Sequence, residues 1–225
     1  MRLCESVLPY SIEGFLTDTE VGRILALIDA YKAQHPDDLA AGSTGQTVHN
    51  SEVLTVDELV EMYEPRGRLD VNTADLPVEV IEIVEAAFLR HIEDIRRAYP
   101  SATWPYAVTY VEYGPAQFFT PHADGITDRQ VAGFGVTLTN DVTGGEFCVE
   151  TCGSNRMWIA GPDGEATLAQ GADMGSEWFR SIPRTKWAMT PRKGMAVFYG
   201  AALVHSSQPV IAGTAKRVLA FMTNG

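Results

Sequence analysis

The spacing of apolar positions changes near the middle of the chain. In the first hundred residues it is helical. After Phe15, the positions Val21, Ile24, Leu25, Leu27 and Ile28 follow a repeat close to 3.6. Thr17 with Glu20 three residues on has the form of a capping box at the start of that helix. A second helix is predicted from about Pro77 to Ala98. Pro77 suits a first helical turn, and Val78, Val80, Ile81, Ile83, Val84, Ala87, Phe88 and Ile92 cover more than one stripe, as in a helix packed on a sheet. Between them the chain is mixed and polar from Ala40 to Asp75, with a short helix expected near Val56 to Tyr63.

From Ala107 onward the pattern is short runs of β-branched and aromatic residues broken by Gly, Pro, Asn and Asp. The predicted strands are Ala107–Tyr113, Val131–Thr139, Gly145–Glu150, Arg156–Ile159, Lys186–Met189, Met195–Tyr199, Ser207–Ile211 and Lys216–Thr223. Asn140 to Gly145 is a strong turn signal. Many short strands after a helical start predict an α+β, mainly β fold, with a sandwich or jelly roll buttressed by N-terminal helices. No linker or repeat divides the chain, so one domain is expected over 1–225: helical support over 1–105, then a β core over 106–225. An insertion at about 151–190 carries Trp158, Trp178 and Trp187; it reads either as a lid or pocket wall, or as a surface excursion with its own apolar cluster.

Composition narrows the classes of function. A chain of 225 residues, 45% hydrophobic and 20% charged, is not a disordered protein and can bury a substantial core. A formal charge of −12 disfavours phosphate backbones and anionic membranes, so no nucleic-acid partner and no membrane are expected. Cys4, Cys148 and Cys152 are too few for a disulfide scaffold, and no CxxC pair marks a zinc site. The opening residues, interrupted by Glu5 and Glu13, do not form a signal peptide, and the expected location is cytoplasmic.

Candidate chemistry lies with the histidines. Three of the five have an acid two residues later: His35/Asp37, His91/Glu93 and His122/Asp124. Within a helix such residues point roughly 200° apart and cannot converge on one ion, which rejects His91/Glu93. His35 and Asp37 fall at a helix end in a polar stretch, where a solvated cation and a surface charge are expected. His122 and Asp124 follow the extended stretch Phe118 to Pro121, and in extended chain residues two apart share a face. His205 also lies in β context. Two imidazoles and one carboxylate are the ligand set of the facial triad, which holds non-haem Fe(II) and leaves the opposite octahedral face open.

Tyr113-Gly-Pro-Ala-Gln-Phe-Phe-Thr-Pro-His122-Ala-Asp124, then Gly144-Gly-Glu-Phe147, Lys193-Gly-Met-Ala-Val-Phe198, His205 and Gly213 to Arg217 occur in that order. So ordered, the sequence resembles the Fe(II)/2-oxoglutarate-dependent dioxygenases, in particular their prolyl 4-hydroxylase-like branch. Ile12-Glu-Gly-Phe-Leu16 before a helix belongs to the same likeness, which runs from about residue 8 to the end. The resemblance implies a double-stranded β-helix core and three metal ligands, His122, Asp124 and His205. It implies Fe(II), 2-oxoglutarate as co-substrate and O2, with ascorbate as a candidate further cofactor. It also implies a basic residue on the last strand that pairs with the distal carboxylate of 2-oxoglutarate. Arg217 fits this place, with Lys216 as competitor, because both faces of that strand are apolar and the interval after His205 is longer than usual. Tyr113 corresponds to a tyrosine lining the co-substrate pocket, and Thr137 stands where relatives often direct a tyrosine hydroxyl. Ala116 departs from the pattern, which usually has Gly there.

The implied reaction couples oxidative decarboxylation of 2-oxoglutarate to hydroxylation of an unactivated C–H bond. Related iron halogenases replace the carboxylate ligand by a small residue; Asp124 is a carboxylate, which favours hydroxylation. The expected substrate is a small metabolite, an amino acid or a peptidyl residue. Trp158, Trp178 and Arg180 are candidate substrate contacts. Two other readings stay open on the residues alone: a jelly-roll hydrolase or isomerase using the triad with zinc or manganese, and a non-catalytic jelly-roll binding domain.

Overall fold

The computed structural model describes residues 3–35, 47–49, 52–54, 68–124, 130–152, 158–160, 166–168 and 184–224. After a 3-10 turn at Leu3–Val7 come β1 (Pro9–Ile12), α1 (Asp18–Gln34), β2 (Thr47–His49), β3 (Glu52–Leu54), β4 (Leu69–Val71), α2 (Val78–Arg90) and α3 (Ile92–Ala98). The β half continues with β5 (Trp104–Tyr113), β6 (Phe119–His122), β7 (Gln130–Thr137), β8 (Thr143–Gly144), β9 (Phe147–Cys152), β10 (Trp158–Ala160) and β11 (Ala166–Leu168). It ends with β12 (Arg184–Met189), β13 (Ala196–Gly200), β14 (Val204–Ser207), β15 (Val210–Ala212) and β16 (Ala215–Thr223).

The predicted capping box starts α1. The Glu20 N–H donates to Thr17 Oγ1 at 3.2 Å, and the Thr17 N–H donates to the Glu20 carboxylate at 2.8 Å. Val21, Ile24 and Ile28 form the buried face of the helix. The second predicted helix is broken. At His91 the backbone turns to φ −103°, ψ 9°, which ends α2, and α3 restarts at once. Neither Gly nor Pro causes the break; the turn lays the imidazole on Phe15, with ring centroids 5.4 Å apart.

A six-stranded antiparallel sheet runs in the order β1-β13-β7-β16-β5-β4, and a four-stranded sheet runs β12-β9-β14-β6. Together they make the jelly-roll core. Two strands of the larger sheet, β1 and β4, come from the stretch that reads as helical or polar in sequence. They are only three or four residues long, too short to impose a period. The expected strand Ser207–Ile211 is two strands. Pro209 separates β14, which pairs with β6 and β9, from β15, which pairs with β8.

Alternation divides the larger sheet. Tyr110, Phe134, Val136, Ala196, Phe198, Val218, Ala220 and Met222 face the helices and share a core with Ile24, Ile28, Val84 and Phe88. The other face turns toward the smaller sheet. There Val197 and Tyr199 pack with Phe147, Val149 and Leu203, and Val111, Tyr113 and Ala215 pack with Phe119 and Val210. The apolar character of both faces of β16 thus reflects two separate cores. Among the described residues no helix is long and apolar enough to cross a membrane.

Candidate metal centre

His122 and His205 are register partners on the neighbouring strands β6 and β14. Partners in an antiparallel ladder project from the same face, so the imidazoles meet with centroids 4.2 Å apart. Asp124, two residues past His122, returns its carboxylate between them. Its Oδ1 is 3.4 Å from His122 Nε2, and its Oδ2 is 3.8 Å from His205 Nε2. The three residues form a group that can hold a metal ion, with one ligand atom from each and all of these within 4.8 Å of one another.

Each imidazole is oriented by its other nitrogen. Nδ1 of His122 meets the Thr120 carbonyl at 2.9 Å, and Nδ1 of His205 meets the Leu203 carbonyl at 3.0 Å. A carbonyl can only accept, so Nδ1 carries the proton in both rings and Nε2 keeps its lone pair toward the centre. Burial and the neighbouring His122 hold the His205 pKa down to about 4, leaving it neutral. Burial pushes the Asp124 pKa up, any proton carried by the two adjacent imidazoles pulls it down, and the net shift is downward. The carboxylate is therefore ionised. Its Oδ2 is buried without a hydrogen-bond partner. An orphaned carboxylate oxygen beside two imidazole lone pairs is a donor set suited to a divalent ion.

Further along the barrel interior lies Arg217, which is 8% exposed. Its Nη1 donates to Ser207 Oγ at 2.6 Å, and Nη2 donates to the Gly145 carbonyl. Gly144 and Gly145 have φ of +78° and +69°, a turn that L side chains rarely adopt. No carboxylate among the described residues forms an ion pair with Arg217. Lys216 projects from the other face of β16, where its Nζ is 3.8 Å from Glu112. Glu112 also takes Lys32 of α1 at 2.8 Å. Alternation thus separates two residues that the sequence leaves in competition.

Tyr113 and Thr137 are both on the interior face. Thr137 is buried directly across the ladder from Arg217. The Tyr113 hydroxyl accepts from Arg68 Nη1 at 2.6 Å, and the Arg217 guanidinium carbon lies 5.7 Å from the Tyr113 ring centroid. Arg68 is absent from the sequence-based candidates. It is tied to Asp70 through Nε at 2.6 Å and Nη2 at 3.1 Å, and it lies over the Phe119 ring, which touches His122. No periodicity or motif marks it. Tyr199, also unforeseen, packs its ring 4.0 Å from that of His205.

The remaining candidates are dispersed. His35 stacks on Tyr31 at the end of α1. Trp158 lies on β10. Trp178, Arg180 and the short helix expected near Val56 to Tyr63 lie outside the described residues. Trp187 of β12 is in one cross-strand row with Val149, His205 and His122, on the same face, and is 50% exposed.

No protein-family model matches the chain, and no curated protein sequence is significantly similar to it. Solved structures are similar in fold. A prolyl-4-hydroxylase from Pseudomonas putida has a TM-score of 0.57 at 12% identity, with 97% of this chain and 93% of that chain covered. The non-heme alpha-ketoglutarate-dependent carbocyclase SnoK of nogalamycin biosynthesis has a TM-score of 0.60 at 16% identity, with 97% and 80% covered. An oxidoreductase of the 2OG-Fe(II) oxygenase family from Burkholderia pseudomallei has a TM-score of 0.52 at 14% identity, with 98% and 86% covered. The fold of this chain is therefore that of the prolyl hydroxylases and other 2-oxoglutarate/Fe(II) oxygenases.

Proposed function

We propose that this protein is an Fe(II)- and 2-oxoglutarate-dependent oxygenase that hydroxylates an unactivated C–H bond in a small metabolite, an amino acid or a peptidyl residue. The observation that carries the reading is Arg217, a buried guanidinium without a carboxylate partner among the described residues, in the same barrel interior as His122, Asp124 and His205. A buried cation is costly unless an anion meets it. A guanidinium fork matches a carboxylate bidentately and keeps its charge. A hydrolase or isomerase that used the triad with zinc or manganese would not need such a cation.

When bound, Fe(II) and 2-oxoglutarate supply the oxidising chemistry, with loss of carbon dioxide from the keto acid. The chain supplies the geometry. Nε2 of His122, Nε2 of His205 and the Asp124 carboxylate would hold the metal. Arg217, steadied by Ser207 and Gly145, takes the distal carboxylate, while Tyr113 and Thr137 line the path between them. Phe147, Val149 and Leu203 exclude water beside the metal. Trp187 stands at the outer end of the histidine row and forms a wall for the primary substrate. The charge of −12 favours a neutral or cationic substrate over a polyanion.

The test is anaerobic addition of 2-oxoglutarate to the Fe(II)-loaded protein. A visible iron-to-keto-acid charge-transfer band is expected, and candidate substrates can then be screened by succinate release. No band, together with no binding of 2-oxoglutarate by calorimetry, would overturn the assignment.

A further inference from the structure

We infer that the Tyr199 hydroxyl is a second anchor for the co-substrate, donating a hydrogen bond to the keto-acid end of 2-oxoglutarate while Arg217 holds the distal end. The inference rests on the oxygenase reading above and adds a residue that neither the motif pattern nor the fold marks.

Among the described residues four tyrosines are buried: Tyr99, Tyr110, Tyr113 and Tyr199. Buried hydroxyls are normally hydrogen-bonded, and three of these are. Tyr99 donates to the Leu8 carbonyl at 2.5 Å, Tyr110 donates to Glu112 at 2.6 Å, and Tyr113 accepts from Arg68 at 2.6 Å. The Tyr199 hydroxyl makes no hydrogen bond to a described residue, and its oxygen is not among the fully buried unsatisfied atoms, so it borders accessible space. A phenol that the chain leaves unpaired at the edge of the interior is a donor available to a bound group.

The position of the ring says what that is. Tyr199 projects from β13 over Gly133 of β7, its register partner. A Cβ at Gly133 would lie 2.5 Å from Tyr199 Cε2, 2.8 Å from Cζ and 2.9 Å from the hydroxyl oxygen. Only glycine at 133 lets the ring lie flat across the sheet. The ring is then packed against His205 and stacked on Phe147, with centroids 4.0 and 5.4 Å apart. Tyr199 thus lies on the interior face of the larger sheet, the face that also carries Thr137 and Arg217, with its ring against the metal-ligand candidate His205. An oxygen-rich anion that spans from the triad to Arg217 passes this hydroxyl at its metal-proximal end.

The test is Tyr199→Phe, which keeps the ring and its packing and removes only the hydroxyl. Metal affinity without co-substrate, measured with Co(II), should be unchanged. The dissociation constant of 2-oxoglutarate for the anaerobic Fe(II) protein should rise about three- to tenfold, as loss of one neutral hydrogen bond predicts. The charge-transfer band should also move, because the lost bond was made to the keto-acid end. Wild-type band position and affinity in the variant would overturn the inference while leaving the oxygenase reading intact. Loss of Co(II) binding in the variant would overturn it too, by making Tyr199 a support for His205. Absence of the band in the wild-type protein would sink the oxygenase reading, and this inference with it.

Discussion

Arg217 reaches from the larger sheet across the barrel to donate to the Ser207 hydroxyl of the smaller one, at 2.6 Å. That single bond joins the strand carrying the cation, β16, to the strand carrying His205, β14. It also fixes the guanidinium in the interior, whereas the adjacent Lys216 is directed to Glu112 on the helix side.

Substitution at these two positions should therefore have unequal effects. Hydrogen bonds to charged groups contribute about 1.5–3 kcal/mol. Arg217→Ala should accordingly weaken 2-oxoglutarate binding by roughly ten- to 150-fold. Lys216→Ala should change it by less than about twofold, as expected for a part-exposed ion pair. Titration of the anaerobic charge-transfer band measures both. Equal losses in the two variants would show that alternation along β16 does not select the anchor.

The orphaned Asp124 Oδ2 makes a prediction about stability. An ion that binds only the folded state stabilises it by about 2.7 kcal/mol at a concentration of 100 Kd. Fe(II) under argon, or Co(II) in air, should raise the urea midpoint of the wild-type protein accordingly, and a chelator should reverse the rise. Asp124→Ala and His205→Ala should stay folded and show no rise. A metal-dependent rise that survives in both variants would place the ion elsewhere.

Much of this site was legible along the chain because it depends on strand period. The extended stretch before His122 was enough to choose one His-x-Asp pair from three, and β context around His205 was visible in the run Lys193 to Tyr199. Arg217 and Lys216 could not be separated, since the helix core and the barrel core both draw apolar residues to β16. Tyr199 was hidden because a tyrosine in an apolar strand reads as core; its only signal is Gly133, a glycine inside a bulky strand that marks a close approach. Arg68 left no signal, because the nearby Asp70 reads as a local ion-pair partner in a polar stretch, and Tyr113 meets Arg68 only through the pairing of β4 with β5. The helix break at His91 likewise comes from a tertiary contact with Phe15, not from a local breaker.

Ala116 departs from the glycine of the family pattern, and its backbone is left-handed, with φ of 66°. It sits in the turn that leads into β6, where its N–H donates to the Val210 carbonyl at 2.8 Å and Gln117 closes back on Gly114. An L residue in this region costs about 1–2 kcal/mol, partly offset by the greater freedom of an unfolded glycine. Ala116→Gly should thus stabilise the protein by about 0.5–1 kcal/mol. Ala116→Val should destabilise it, because a β-branched side chain tolerates positive φ poorly. Urea midpoints at constant slope check both, and a stabilising valine would exclude strain at this turn.

Glu20 joins the start of α1 to the end of α2. Its carboxylate takes Arg90 through two bonds of 2.8 and 2.9 Å, and a third Arg90 bond reaches the Phe15 carbonyl. The Arg90 hydrogen bond, opposed by burial and helped by Thr17, lowers the Glu20 pKa from 4.5 to about 2. A depressed carboxylate pKa contributes stability that is full above the unfolded value and lost as pH falls toward the folded one. The loss attributable to Glu20 therefore belongs between about pH 4.5 and 2. Glu20→Gln separates charge from capping, since a glutamine can still accept the Thr17 N–H. The wild-type protein should exceed the variant in urea midpoint at pH 7, with the gap constant down to about pH 5 and closing between there and pH 2. A gap that persists at the acid limit would mean that Arg90 reads the shape of the Glu20 side chain and not its charge.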